Sequence, residues 1–181
     1  MLRTLAALAK VDGRVTVFLE PIALYMTKDL HEAGDGQWLF PYPPQDEAMP
    51  LGAGRVYDED ADDLVIFTYG NGVPMSLRAA RTIEGRHGWK VRVVDLRWLV
   101  PLNEGFIAAQ AKTAKRILVV DEGRHAAGVG EGVITAIAEA GHHARPFQRV
   151  VGADTYTPLA GAAFLVLPGD EDIVAAADRL A

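Results

Sequence analysis

The residues best placed to do chemistry lie between Glu122 and Gly132 (EGRHAAGVGEG), where an apolar run ends and a helical pattern begins. Ligands of doubly wound sheets bind at such carboxyl ends of strands. Gly128, Gly130 and Gly132 permit close backbone approach, a helix start offers free N–H groups, and Arg124 adds a positive charge, so a small anion could be held there. The same residues, Glu122, Arg124, His125, Gly128 and Gly130, serve equally well as a structural turn or a subunit contact. Their spacing is not the dinucleotide fingerprint G-x-G-x-x-G. His125 could act as a general base, but a base needs a nucleophile or a substrate proton to act on. Ser76 is the only serine, and its VPMSL context is no nucleophile elbow, which argues against hydrolase chemistry.

Three further clusters invite a metal. Gly34-Asp35-Gly36 is a turn that could present a carboxylate to a divalent cation, yet it follows His31-Glu32-Ala33 rather than a buried strand. A solvated turn accounts for it better. Asp58 to Asp63 places five carboxylates in six residues without the central glycine or spacing of a calcium loop, and reads as a solvated turn before a strand. His142 and His143 are adjacent, so their side chains diverge, and no third ligand is spaced to join them. No metal ligand and no catalytic residue is expected.

These residues need a scaffold, and the composition supplies one. With 181 residues, half of them apolar, the chain can bury one sizeable core. Cysteine is absent, which removes disulfides, thiolate metal sites and Cys nucleophiles and fits a cytoplasmic location. A net charge of -6 with no basic block excludes nucleic acid as a partner. The opening MLRTLAALAK is too short and poorly flanked for a signal peptide, and the apolar stretches are interrupted by charge, so no membrane association is expected.

Strand and helix patterns alternate from Leu64 onward. LVIFTYG leads into a helix with Val73, Leu77, Ala80 and Ile83 on one face; VRVVDL (91–96) precedes a helix over 103–114 capped by Asn103; RILVVDE (116–122) precedes a helix over 130–140 stopped by Gly141. QRVVG (148–152) is a fourth strand, and DEDIVAAADRLA closes the chain with a helix whose leading acids suit its dipole. Strands this continuously apolar are buried on both faces, so the expected fold is α/β, a three-layer α/β/α sandwich with a mostly parallel sheet. Ahead of it, 2–9 should form a helix and 14–20 (RVTVFLE) a strand, while 31–54, rich in Pro, Gly and aromatics, reads as a linker or arm. One helix and one strand make no core, so residues 1–30 are expected to be the tail of a preceding domain and 55–181 the domain proper.

Several of these stretches together resemble one family. VDGRVTVFLEPIALY (11–25) is similar to the end of the pyrimidine-binding domain in the beta subunits of thiamine-diphosphate-dependent 2-oxo acid dehydrogenases. LVIFTYGNGV (64–73), VRVVDLRWLVPLNEGFI (91–107) and RILVVDEGRHAAGVGEGV (116–133) resemble successive signatures of the transketolase C-terminal domain, followed by RVVGADTYTPLA (149–160) and DEDIVAAADRL (170–180). The resemblance spans nearly the whole chain in order. It implies a C-terminal assembly and docking part of the decarboxylating component, of pyruvate or branched-chain type, that is not catalytic alone. In the parent enzyme thiamine diphosphate and magnesium lie between halves in regions this chain lacks, so it should bind neither by itself. The implied partners are an alpha-type half and the acyltransferase component of the complex.

Two other readings remain: a stand-alone small-anion-binding module of the same fold, or the C-terminal domain of a transketolase-like enzyme. The retained 11–25 stretch favours the dehydrogenase part over the module, and the Phe-Leu-Glu-Pro and Ala-Leu-Tyr pair favours it over transketolase. The N-terminal helix and strand would expose apolar surface, so a homo-oligomer is expected, with exchanged N-terminal arms as one route.

Overall fold

The computed structural model describes residues 1–181. Helix α1 (Leu2–Asp12) is followed by an extended stretch and a 3-10 turn (Ile22–Leu24). The sheet then begins with β1 (Arg55–Tyr57), after which strands and helices alternate: β2 (Leu64–Thr68), α2 (Gly72–His87), β3 (Val91–Asp95), α3 (Glu104–Thr113), β4 (Ile117–Asp121), α4 (Val129–Glu139) and β5 (Phe147–Val151). A second 3-10 turn (Ala160–Leu165) leads into α5 (Asp170–Asp178). No helix is long and apolar enough to cross a membrane.

The five strands lie in the order β1-β3-β2-β4-β5, parallel throughout except that β1 runs antiparallel to β3. Every residue of β2 and β4 is buried because these central strands are covered on both faces. On one face Leu64, Ile66, Val93, Leu118 and Val150 meet α2 and α5 through Ala80, Ile83 and Ile173. On the other Val65, Phe67, Val94 and Val119 meet α3 and α4 through Ile107, Ala111, Val133 and Ile137. Alternate residues of each strand thus feed opposite layers, as the two-residue strand period requires. The result is an α/β/α sandwich.

Local chemistry sets the ends of the helices. The Asn103 side chain accepts the Phe106 N–H at 2.9 Å, so α3 starts where the sequence places a cap. The Gly169 N–H donates to Asp172 at the start of α5, and Arg78 of α2 holds Asp170 with two hydrogen bonds of 2.6 and 2.9 Å. That bidentate pair pins α5 to α2 on one face of the sheet.

One expectation needs correction, and one strand is added. Residues 14–20 do not form a strand: the backbone is extended, but none of its N–H or C=O groups from Val15 to Glu20 has a main-chain partner. β-branched residues favour an extended conformation, but a strand exists only where a neighbour receives its hydrogen bonds, and none lies alongside. Conversely, β1, just after the arm, is a strand hidden by its brevity of three residues. Between Met1 and Pro50 only Leu5 is buried, so α1 is held mainly by polar contacts of Arg3 and Thr4 with the carbonyls of Pro43, Pro44, Glu47 and Met49.

Because Leu118 is fully buried in the central strand, Leu118→Ala should destabilise the fold by about 2–5 kcal/mol, read as a lowered urea midpoint at unchanged slope.

Candidate functional site

β2 stands at the centre of the sheet: its crossover runs through α2 to β3 on one side, while β4 and β5 lie on the other. The carboxyl ends of β2 and β4 are therefore the switch point where ligands of such sheets bind. Here that point is filled by the chain's own side chains. Asp121, 2% exposed, accepts the Tyr69 hydroxyl at 2.7 Å and the Gly123 N–H at 2.8 Å on one oxygen, and the Gly130 N–H at 2.8 Å on the other. Beside it the Asn71 amide donates to both oxygens of Glu122 at 3.0 and 3.3 Å.

These contacts place the residues singled out in the sequence. Gly128 and Gly130 face inward: a Cβ on Gly128 would stand 2.7 Å from the Asp121 carboxylate, so the glycines make room for an internal anion. The Ala127 N–H is taken by Glu131 at 2.9 Å, so the start of α4 is capped by carboxylates of this chain. Arg124 and His125 face outward and are exposed. The Arg124 guanidinium lies 5.5 Å from the Tyr156 ring centre, and the His125 carbonyl, rather than its imidazole, accepts a 2.7 Å hydrogen bond from Arg149. Glu122, Gly123 and Arg124 line an open cleft of about 360 Å³ together with Gly152, Tyr156 and Leu167.

Sequence reasoning missed Asp121, Tyr69 and Tyr156. The signal for Asp121 was present as a carboxylate ending an otherwise apolar run just ahead of a glycine-rich helix start; Tyr69 could be found only by knowing that β2 and β4 are neighbours.

Burial shapes the electrostatics here. It raises the Tyr69 hydroxyl, and the hydrogen bond to Asp121 and the charges of Asp121 and Glu122 add to the effect. Burial also raises Glu122 above its ordinary 4.5; the Asn71 hydrogen bond pulls it back, and the Asp121 charge pushes it further up. At the next strand end, Asp95 is raised by burial while Arg97 draws it down through its guanidinium and backbone N–H.

The Gly34-Asp35-Gly36 turn does not fit a magnesium ligand set. Desolvation would raise the Asp35 carboxyl, but the N–H groups of Gln37, Glu32, Leu30 and His31 all donate to it and hold it well below the usual carboxylate range. Asp29 likewise takes the Gly34 and Gly36 N–H groups, so both carboxylates serve the loop itself. The acidic run behaves similarly: Asp62 and Asp63 pair with Lys115 at 3.1 and 2.8 Å. His142 and His143 lie in the turn after α4, and no cluster of three metal-ligating side chains forms.

Two substitutions test this geometry. Asp121→Asn turns one acceptor into a donor facing Gly130 or Tyr69 and should destabilise the chain by about 1–3 kcal/mol in denaturant unfolding. Glu122 holds its proton more tightly folded than unfolded, so it favours the fold below pH 4.5 and that contribution is lost as pH rises through the folded-state value. Glu122→Gln keeps an acceptor for Asn71. Its melting temperature should exceed that of the unmodified chain at neutral pH, and the gain should vanish below pH 4.5 in calorimetric scans.

Residues 52–169 match the family described as Transketolase, C-terminal domain. The 3-methyl-2-oxobutanoate dehydrogenase subunit beta of Mycobacterium tuberculosis is 33% identical over 166 residues, covering 91% of this chain and 44% of the relative. The pyruvate dehydrogenase E1 component subunit beta of Staphylococcus aureus is 34% identical over 134 residues, covering 73% of this chain and 41% of the relative. The chain therefore spans less than half the length of these curated relatives. A split-gene transketolase, solved as an inactive beta4 tetramer, shares the fold with a TM-score of 0.62 at 24% identity, over 75% of this chain and 43% of that one. With the family match covering well over half of its residues and placed on the sheet just described, this chain belongs to the transketolase C-terminal domain family.

Proposed function

We propose that the chain is the C-terminal assembly and docking part of the beta-type half of a thiamine-diphosphate-dependent 2-oxo acid dehydrogenase, working in the cytoplasm. The observation that carries this reading is the similarity, across 91% of the chain, to the beta subunit of a branched-chain enzyme. Residues 55–181 are the docking domain, 31–54 an arm, and 1–30 the tail that leads from a pyrimidine-binding domain.

The site supports a contact role over a catalytic one. At the switch point the Asp121 and Glu122 carboxylates are turned on Tyr69, Gly123, Gly130 and Asn71 and fill the place a ligand would take, while the Thr68 hydroxyl and the Asn71 side-chain oxygen are buried without a partner. A dissolved anion would displace Asp121 from Gly130 and meet Glu122 and Glu131 beside it, which opposes the anion-binding reading. Arg124 and His125, exposed on the outward side of the same loop, are the residues to contact a second subunit, with Glu122, Gly128 and Gly130 holding that loop in shape. The partners are further copies of this chain, an alpha-type half and the acyltransferase component.

Thiamine diphosphate and magnesium belong to the parent enzyme. The residues present do not fit them, since Asp35 is consumed by its own loop, and no step of the reaction is assigned to this chain. Calorimetric titration of thiamine diphosphate with magnesium into the isolated chain should give no heat of binding, and a 2-oxo acid decarboxylase assay on the same sample no turnover. Magnesium-dependent binding at micromolar concentration would overturn the reading.

A further inference from the structure

Arg92 carries a positive charge into the sheet and meets no carboxylate there. It is the second residue of β3, stands beside Val65 of β2 and is 6% exposed. Its Nη1 donates to three oxygens of α3: the Gln110 side chain at 3.2 Å, the Thr113 hydroxyl at 3.3 Å and the Gln110 carbonyl at 3.5 Å. All three acceptors are neutral and all three contacts are long. A guanidinium does not shed its proton in a protein, so burial cannot be relieved that way. Buried charges are paired or strongly hydrogen-bonded, and this one is neither.

The unused part of the guanidinium has a definite shape. Nε is buried without a partner, and Nη2 donates to nothing in the chain but keeps contact with solvent. These two nitrogens hold their N–H bonds side by side, at the spacing of the two oxygens of a carboxylate. The chain uses that fork elsewhere: Nε and Nη2 of Arg78 grip the two oxygens of Asp170 at 2.6 and 2.9 Å. Arg145 also has a buried, unpartnered Nε, but its Nη1 and Nη2 are both taken by the carbonyls of Ala114 and Lys112. On Arg92 the whole fork is free.

The groups that hold Arg92 belong to α3, so its state does not depend on the residues ahead of β1. It lies near the amino end of β3, away from the crevice that Asp121 closes at the carboxyl ends of β2 and β4.

We propose that the Nε and Nη2 edge of Arg92 is a receptor for a small carboxylate anion, with Gln110 and Thr113 as positioning residues that hold Nη1. The low exposure confines entry to a small ion, and the planar fork selects a planar one over a halide, which lacks a second oxygen to pair with it. This site adds a ligand to the assembly role and does not rest on it.

Formate is the smallest probe of that chemistry. The ¹⁵N-labelled chain would be titrated with sodium formate and, at matched ionic strength, with sodium chloride, following the Arg92 Nε–H resonance assigned by through-bond correlation. Formate should move it to lower field along a saturable curve, while chloride leaves it in place. Arg92→Lys keeps the charge without the fork. With the Gln110 side-chain amide as reporter, its affinity for formate should fall about tenfold, the equivalent of one lost hydrogen bond to a charged group. The two-salt comparison on the unmodified chain stands whether or not that variant folds. Equal shifts in both salts, a saturable formate response that leaves Arg92 Nε–H unmoved, or an unchanged affinity in a folded Arg92→Lys chain would each overturn the proposal.

Discussion

A carboxylate buried to 2% exposure is tolerated only where donors replace the water it has lost, and Asp121 is surrounded by three. One comes from the exit of β2, one from the turn after β4 and one from the first turn of α4, so a single charge joins the two central strands and the helix behind them. Much around it follows from this constraint. Gly128 and Gly130 lack side chains because the carboxylate stands where a Cβ would go or press. The Tyr69 hydroxyl is committed as a donor, and Glu122, next in the chain, is left beside a negative charge with Asn71 as its compensating partner.

The consequence for function is a division between the inside and the outside of one loop. Its inward groups satisfy one another and close the crevice in which many doubly wound sheets hold a ligand. Its outward groups, Arg124 and His125, are exposed beside a cleft walled by Tyr156 and Leu167. A sheet built this way is a platform. It holds its outward surfaces at fixed positions.

The arm repeats the principle on a smaller scale. Asp29 and Asp35 gather six backbone N–H groups from Leu30 to Gln37, ordering a segment that has almost no buried apolar residues to order it. Ahead of this knot, 14–20 has the composition of a strand and the conformation of one but no neighbour. Its sequence pattern is therefore accurate about the local backbone and silent about the partner.

The amino-acid sequence determined whatever depends on near neighbours along the chain. The apolar runs of β2, β3 and β4, the Asn103 cap and the acidic start of α5 are local patterns, and the structure places them within a residue or two of where they read. The sandwich follows from the alternation of these elements. Tertiary structure alone decided what depends on residues far apart: that β4 lies beside β2 rather than β3, that Tyr69 therefore reaches Asp121 across 52 positions, and that the glycine-rich helix start receives an internal carboxylate instead of a ligand. β1 and the unpaired arm belong with these, because a strand is defined by its partner. Hydrogen-bond partners across a sheet carry no periodicity in the sequence, and only the folded chain brings them together.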